Sequence, residues 1–161
     1  MTQNRTQQSV AEYVVGYCFS PDMGQVALIM KAKPAWQAGK LNGAGGKVEP
    51  GETAHQAMAR EFDEEAGVQI LQWLHIRTEQ FYAEQEATRE QPTGARVHHF
   101  AAIAPNWGEW ARIDTQEAEP IVKVPYPLRE YTQHKYIYNL PYLIPMAAVL
   151  LNQPPENRPV P

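Results

Sequence analysis

At 161 residues and 18.2 kDa the chain can bury one core without disulfides or structural metals, and it gives no support to a two-domain reading. Apolar residues at 43% and charged residues at 20% exclude a disordered or fibrous chain. A net charge of −4 and a pI near 5.7 exclude a general binder of nucleic-acid polymers, which would present a basic face.

The first ten residues, MTQNRTQQSV, are polar and lack the apolar core of a signal peptide, so 1–10 reads as a flexible tail. Glu12 to Ser20 and Gln25 to Ala32, rich in Val, Tyr, Ile and Leu, read as two strands of a hairpin turning at Pro21-Asp22-Met23-Gly24. Cys18, the single cysteine, lies in the first of these runs, where a buried thiol is expected. Lys33 to Gly51 is rich in Gly, Pro and Ala and reads as a loop with a short strand at Gly45 to Val48. Thr53 to Ala66 reads as a helix: Thr53 and Gln56 fit a capping box, and Gly67 fits the terminating position. Gln69 to Ala83 and Ala95 to Ala104 read as strands, with Ile121 to Val124 as a further one.

Asn139 to Asn152 reads as a C-terminal helix, with Pro141 suited to its first turn and Pro145 an interruption. The proline-rich 153–161 is expected to fray. The longest apolar stretch, Leu143 to Leu151, is too short to span a bilayer, so no membrane partner is expected and the cytoplasm is the expected compartment. The order of elements implies a single α/β (α+β) domain over 1–161 with a mixed sheet and helices packed on it.

At 100° per residue, Ala54, Ala57, Met58 and Phe62 define the apolar face of the first helix, and Glu61 and Glu65 fall within it. Glu64 borders that face, while Arg60 and Asp63 point elsewhere. Two carboxylates one turn apart on an inward stripe repel each other and lose hydration, so they want a cation. Glu61, Glu64 and Glu65 can converge on one hard divalent ion shared with substrate phosphates. An ordinary amphipathic helix with solvated acids is the competing reading, weakened by that inward placement and by the glycine loop before it. The loop itself is no P-loop: position 41 is Leu and Val48 stands where a Ser or Thr would hold Mg²⁺.

Gly46, five residues, Glu52, seven residues and then Arg60-Glu61-Phe62-Asp63-Glu64-Glu65-Ala66-Gly67-Val68 resembles the Nudix box at every defined position. The resemblance implies a Nudix-type α/β/α sandwich. It also implies Mg²⁺ or Mn²⁺ held by Glu61, Glu64 and Glu65, with the carbonyl of Gly45 as an additional ligand. Arg60 and Glu52 resemble the family's structural ion pair, Gly46 and Gly67 its structural glycines, and Lys47 would face a phosphate. For the general base the family uses either a box glutamate, here Glu64, or one from a later loop. Thr115 to Pro120 is similar to that loop, with Glu117 in the acidic place and Glu119 nearby.

The stretch Lys40 to Glu49 is similar to the MutT-like branch that hydrolyses nucleoside triphosphates, and in it Asn42 would contact the base or else simply form the turn. The expected substrate is therefore a (deoxy)nucleoside triphosphate, oxidised or non-standard included. Alternatives are another nucleoside diphosphate-linked compound, such as ADP-ribose or a dinucleoside polyphosphate, and nucleotide binding without turnover. The region that would hold a second base-reading element is Tyr138-Asn139-Leu140-Pro141-Tyr142 and lacks a paired aspartate, which leaves the base unassigned. Tyr138, Tyr142 or Trp107 could stack on a base, though aromatic residues are more often core. His98 and His99, adjacent in a strand, point to opposite faces, so at most one lines a pocket. Oligomeric state stays open.

Overall fold

The computed structural model describes residues 10–82, 94–109, 119–128 and 135–158. Strand β1 (Val10–Phe19) is central: it pairs in parallel with β5 (Gly94–Ile103) along its whole length, and antiparallel with β2 (Gln25–Met30) only at Cys18 and Phe19. Beyond that short contact β2 diverges, running beside β6 (Ile121–Pro125) on one edge and β3 (Leu41–Asn42) on the other. β4 (Leu74–Tyr82) pairs antiparallel with β5 and completes a mixed six-stranded sheet among the described residues.

The gap left beside β1 is filled by the glycine loop, through Val14 N–H to Gly46 O at 2.9 Å and Gly16 N–H to Ala44 O at 2.7 Å. The strand expected at Gly45 to Val48 is instead two isolated bridges, Tyr13 with Lys47 and Gly16 with Ala44. The physical reason is that the Gly45 amide turns toward the first helix rather than toward a neighbouring strand. The regular pairing in this region lies earlier, at β3, within what the composition presents as loop. A second difference concerns Gln69 to Trp73, expected as the start of β4. Trp73 donates its ring N–H to Ile70 O at 2.8 Å, and both side chains are buried, so this stretch is a packed connection instead.

Helix α1 (Ala54–Ala66) covers one face of the sheet. The Thr53 hydroxyl accepts from Gln56 N–H and the Gln56 side chain accepts from Thr53 N–H, while Gly67 closes the helix at φ 60°, ψ 20°. Ala57, Met58, Phe62 and Ala66 are buried against Val14, Cys18 and Phe100. Each large side chain so buried contributes about 1.5–3 kcal/mol. Helix α2 (Leu140–Asn152) covers the other face, burying Leu140, Leu143, Ile144 and Leu151 against Tyr17, Phe19 and Leu28. Pro141 occupies its first turn and Pro145 lies inside it. Two helices on opposite faces of a mixed sheet give the α/β/α sandwich.

Past α2 the chain does not fray at once. Pro155–Asn157 forms a 3-10 turn, and Arg158 donates to the carbonyls of Leu151 and Gln153 at 2.9 and 3.0 Å, capping α2's end. Among the described residues no helix is long and apolar enough to cross a membrane.

Candidate active site

The box of the sequence becomes a small constellation between α1 and the glycine loop. Glu65, half-buried on the inner side of α1, accepts a hydrogen bond from Gly45 N–H at 2.9 Å. One turn earlier, Glu61 lies with its carboxylate against Gly46, where a Cβ would come within 2.4 Å of the carboxyl carbon. Gly45 is as constrained, since a Cβ there would sit 1.9 Å from Val14 O. Both glycines are needed because backbone and carboxylates approach too closely for a side chain.

Arg60 reaches across this cluster rather than away from it. Its guanidinium pairs with Glu52 at 2.8 Å through two nitrogens, with Glu61 at 2.8 Å and with Glu64 at 3.3 Å, and it donates to Lys47 O at 3.1 Å. The pair with Glu52 ties the loop to the helix in a forked geometry. Glu64 is 60% exposed at the rim, whereas Glu61 is 15% exposed. Lys47 also presents its side chain to solvent.

Electrostatically the site is short of positive charge. Burial, with Glu61 and Glu119 nearby, pushes the Glu65 carboxyl up to about 8, despite the Gly45 amide and Lys31 acting in the opposite direction. Glu119, near Glu117 in the sequence, is buried. It pairs with Lys31 at 2.6 Å and accepts from the Ala32 and Lys33 amides at 2.8 and 3.2 Å, which holds its pKa down. Lys31, Glu119 and Glu65 thus form one buried neighbourhood in which the single lysine is already engaged. Glu117 lies outside the described residues.

Hard oxygen donors in such a deficit suit a divalent ion of the Mg²⁺ class. As they stand, no three acidic, His or Cys side chains among the described residues are gathered to hold one. Arg60 pairs with Glu61 and Glu64, while Glu65 accepts from the Gly45 amide. The chemistry of these oxygen donors fits such an ion.

Asn42 has both ends of its amide engaged, Nδ2 donating to Gln37 Oε1 at 3.3 Å and Oδ1 accepting from Gly43 N–H at 2.8 Å, the second contact being the turn-forming one. Trp107 donates to Gln25 Oε1 at 2.8 Å and lies under the Lys123 ammonium, a structural engagement rather than a stacking platform. His98 and His99 do face opposite ways. His99 is buried on the α2 side against Tyr17 and Glu79, a polar cluster that no sequence motif announces. Cys18 is fully buried in apolar surroundings that raise its pKa and leave the thiol inert.

Comparison with known proteins agrees with this architecture. A stretch of 47 residues, 29% of the chain, is 53% identical to the oxidized purine nucleoside triphosphate hydrolase of Danio rerio, and it spans 30% of that protein's length. The NUDIX domain of Shewanella oneidensis NrtR, solved with ADP ribose, superimposes over 94% of each chain with a TM-score of 0.63 at 15% identity. A NUDIX hydrolase from Nitrosomonas europaea superimposes over 72% of each chain with a TM-score of 0.53 at 20% identity. At such identities the two structures speak for the fold alone. The NUDIX domain family matches residues 12–139, the span that carries β1, the glycine loop, α1 and the rest of the sheet, and the chain belongs to that family.

Proposed function

We propose that this protein is a divalent-metal-dependent hydrolase that converts a (deoxy)nucleoside triphosphate, oxidised or non-standard forms included, to the nucleoside monophosphate and pyrophosphate. The observation that carries the reading is the half-buried Glu65 of α1, held to the Gly45 amide of the glycine loop, with burial and the neighbouring Glu61 raising its pKa to about 8. The complete box points the same way, and the name of the Danio rerio relative supports a triphosphate substrate.

In this reading Glu61, Glu64 and Glu65, with the Gly45 carbonyl, would hold Mg²⁺ or Mn²⁺. The bound ion would neutralise charge developing on the phosphate and ease deprotonation of the attacking water. Lys47, exposed at the rim, steadies a phosphate oxygen. Glu64, the most exposed of the three carboxylates, takes the proton from water, with Glu117 as the competing base. Arg60, released in part from Glu61 and Glu64, keeps its grip on Glu52 and so holds the helix to the loop. A cytoplasmic location is part of the proposal, supported by the single buried cysteine.

The test is a screen with Mg²⁺ over canonical and oxidised nucleoside triphosphates, ADP-ribose and dinucleoside polyphosphates, separating pyrophosphate from orthophosphate as product. Monophosphate and pyrophosphate from a triphosphate are expected. Turnover confined to ADP-ribose or dinucleoside polyphosphates would overturn the substrate assignment, and binding without turnover of any compound would overturn the hydrolase itself.

A further inference from the structure

On the α1 face of the sheet, across β1 from the glycine loop, two imidazoles from neighbouring strands point at one atom. His75 Nε2 of β4 lies 2.9 Å from the Thr78 hydroxyl oxygen, and His98 Nδ1 of β5 lies 3.0 Å from the same oxygen. Their ring centroids are 6.0 Å apart. The buried ring of Phe100 buttresses His75 edge-on at 5.3 Å, and on another side it carries His55 of α1 at 4.8 Å.

This convergence needs a departure from regular strand geometry. His75 and Thr78 are three positions apart, so in an unbroken strand they would face opposite sides of the sheet. The irregularity between His75 and Arg77 turns both to the α1 face, where His75 pairs with Phe100 and Thr78 with His98. Re-aiming a side chain is what a bulge does beside a binding site.

The direction of each hydrogen bond follows from a carboxylate next door. Glu12 Oε1 accepts from Arg96 at 2.7 Å, and Glu12 Oε2 lies 3.3 Å from His98 Nε2. A carboxylate only accepts, so the neutral His98 ring donates from Nε2 and keeps a lone pair on Nδ1. Thr78 has one hydroxyl proton, which goes to that lone pair, and its oxygen accepts from His75 Nε2. A carboxylate on one nitrogen with the other nitrogen's lone pair directed inward is the arrangement that orients histidine ligands on metals.

We propose that His75 and His98 form a metal site separate from the carboxylates of α1, taking a Zn²⁺-class ion on Nε2 and Nδ1 respectively. Imidazole nitrogens select late transition ions, whereas the all-oxygen donors of α1 suit Mg²⁺. Zn–N bonds are about 2.0–2.1 Å, so each nitrogen advances by about 1 Å toward the place the hydroxyl now fills, and Thr78 rotates to clear it. His75 then carries its proton on Nδ1, and none is released. No third acidic, His or Cys side chain is gathered here among the described residues, so solvent completes the coordination. Thr78 is exposed and His98 is 16% exposed, which leaves the site open to an ion from solution. Glu12 is the positioning residue. The inference stands apart from the nucleotide reading.

The experiment titrates Zn²⁺ by calorimetry in excess Mg²⁺, which keeps all-oxygen sites filled, and follows thermal unfolding with and without Zn²⁺. The wild type is expected to bind one Zn²⁺ per chain and to unfold at a higher temperature with it. Glu12→Gln should weaken binding about tenfold, and His75→Ala or His98→Ala should weaken it further. Thr78→Val, which removes the competing hydroxyl, should bind at least as tightly, and His55→Ala should bind as the wild type does. Glu12→Gln leaves both ligands in place, so it tests the arrangement even where a ligand variant does not fold. No Zn²⁺ binding in the wild type, wild-type affinity in both His75→Ala and His98→Ala or in Glu12→Gln, or an equal loss in all three histidine variants would overturn the proposal.

Discussion

The two faces of the sheet each hold a half-buried glutamate, and their surroundings drive the two in opposite directions. Glu65 on the α1 face meets other carboxylates, one backbone amide and an already paired lysine, and its pKa rises to about 8. Glu79 on the α2 face meets donors from Tyr142, Asn139 and His99, and its pKa falls. Burial raises both; what differs is how many partners favour the charged form. The first environment is unfinished without a cation. The second is finished around the carboxylate and leaves its one unmet demand on the neighbouring amide. In the proposed function the chemistry belongs to the α1 face, where the carboxylates lack partners that favour their charged form.

The largest expected effect of breaking this contrast is on turnover. Glu65→Gln should lower metal-dependent kcat by at least about a hundredfold, the scale of losing one major electrostatic contributor. On the opposite face Tyr142→Phe should leave kcat within a few-fold. Gly46→Ala comes next: its new methyl meets the Glu61 carboxylate, a movable side-chain end, so about 1 kcal/mol of stability is expected to go. The displaced carboxylate should cost more in divalent-ion affinity, about tenfold by titration, than that change in stability would suggest.

A pH experiment sharpens the comparison without substitution. Because the folded pKa of Glu65 lies above its unfolded value of 4.5, the folded state binds more protons between the two, and stability falls as pH rises from there to about 8 and levels off above it. The metal-free protein should therefore lose thermal stability most plainly between pH 6.5 and about pH 8 and level off above, and a divalent ion should remove that slope. His75 and His99, with pKa values lowered from 6.5, oppose the Glu65 slope below that pH and leave it alone above. The smallest effect is expected from Tyr142→Phe on stability. It removes one hydrogen bond from a partly exposed hydroxyl, about 0.5 kcal/mol by denaturant titration.

How much of this was legible in the sequence also differs between the faces. The α1 face is local in the chain: Thr53, Gln56 and Gly67 mark the helix ends, and fixed spacing from Gly46 to Glu65 encodes which groups meet. What spacing does not carry is the reach of Arg60, whose long side chain folds back over Glu61 and Glu64. The α2 face is assembled from β1, β4, β5 and the start of α2, so no motif spans it. Its register depends on an irregularity between His75 and Arg77, which pairs Thr78 with His98 and Glu79 with Val97, so that Glu79 reaches His99 diagonally. A simple alternation along the expected Gln69 to Ala83 strand cannot locate that shift. Asn139 was read only for the aspartates it replaces, because its orphaned oxygen depends on Glu79, 60 residues away.

The proposed role of the α1 face is tested most directly by steady-state kinetics of Glu65→Gln and Tyr142→Phe on the best triphosphate with Mg²⁺. Glu65→Gln is predicted to lose kcat by at least about a hundredfold, whereas Tyr142→Phe on the opposite face keeps kcat within a few-fold. Full metal-dependent kcat in Glu65→Gln would contradict it.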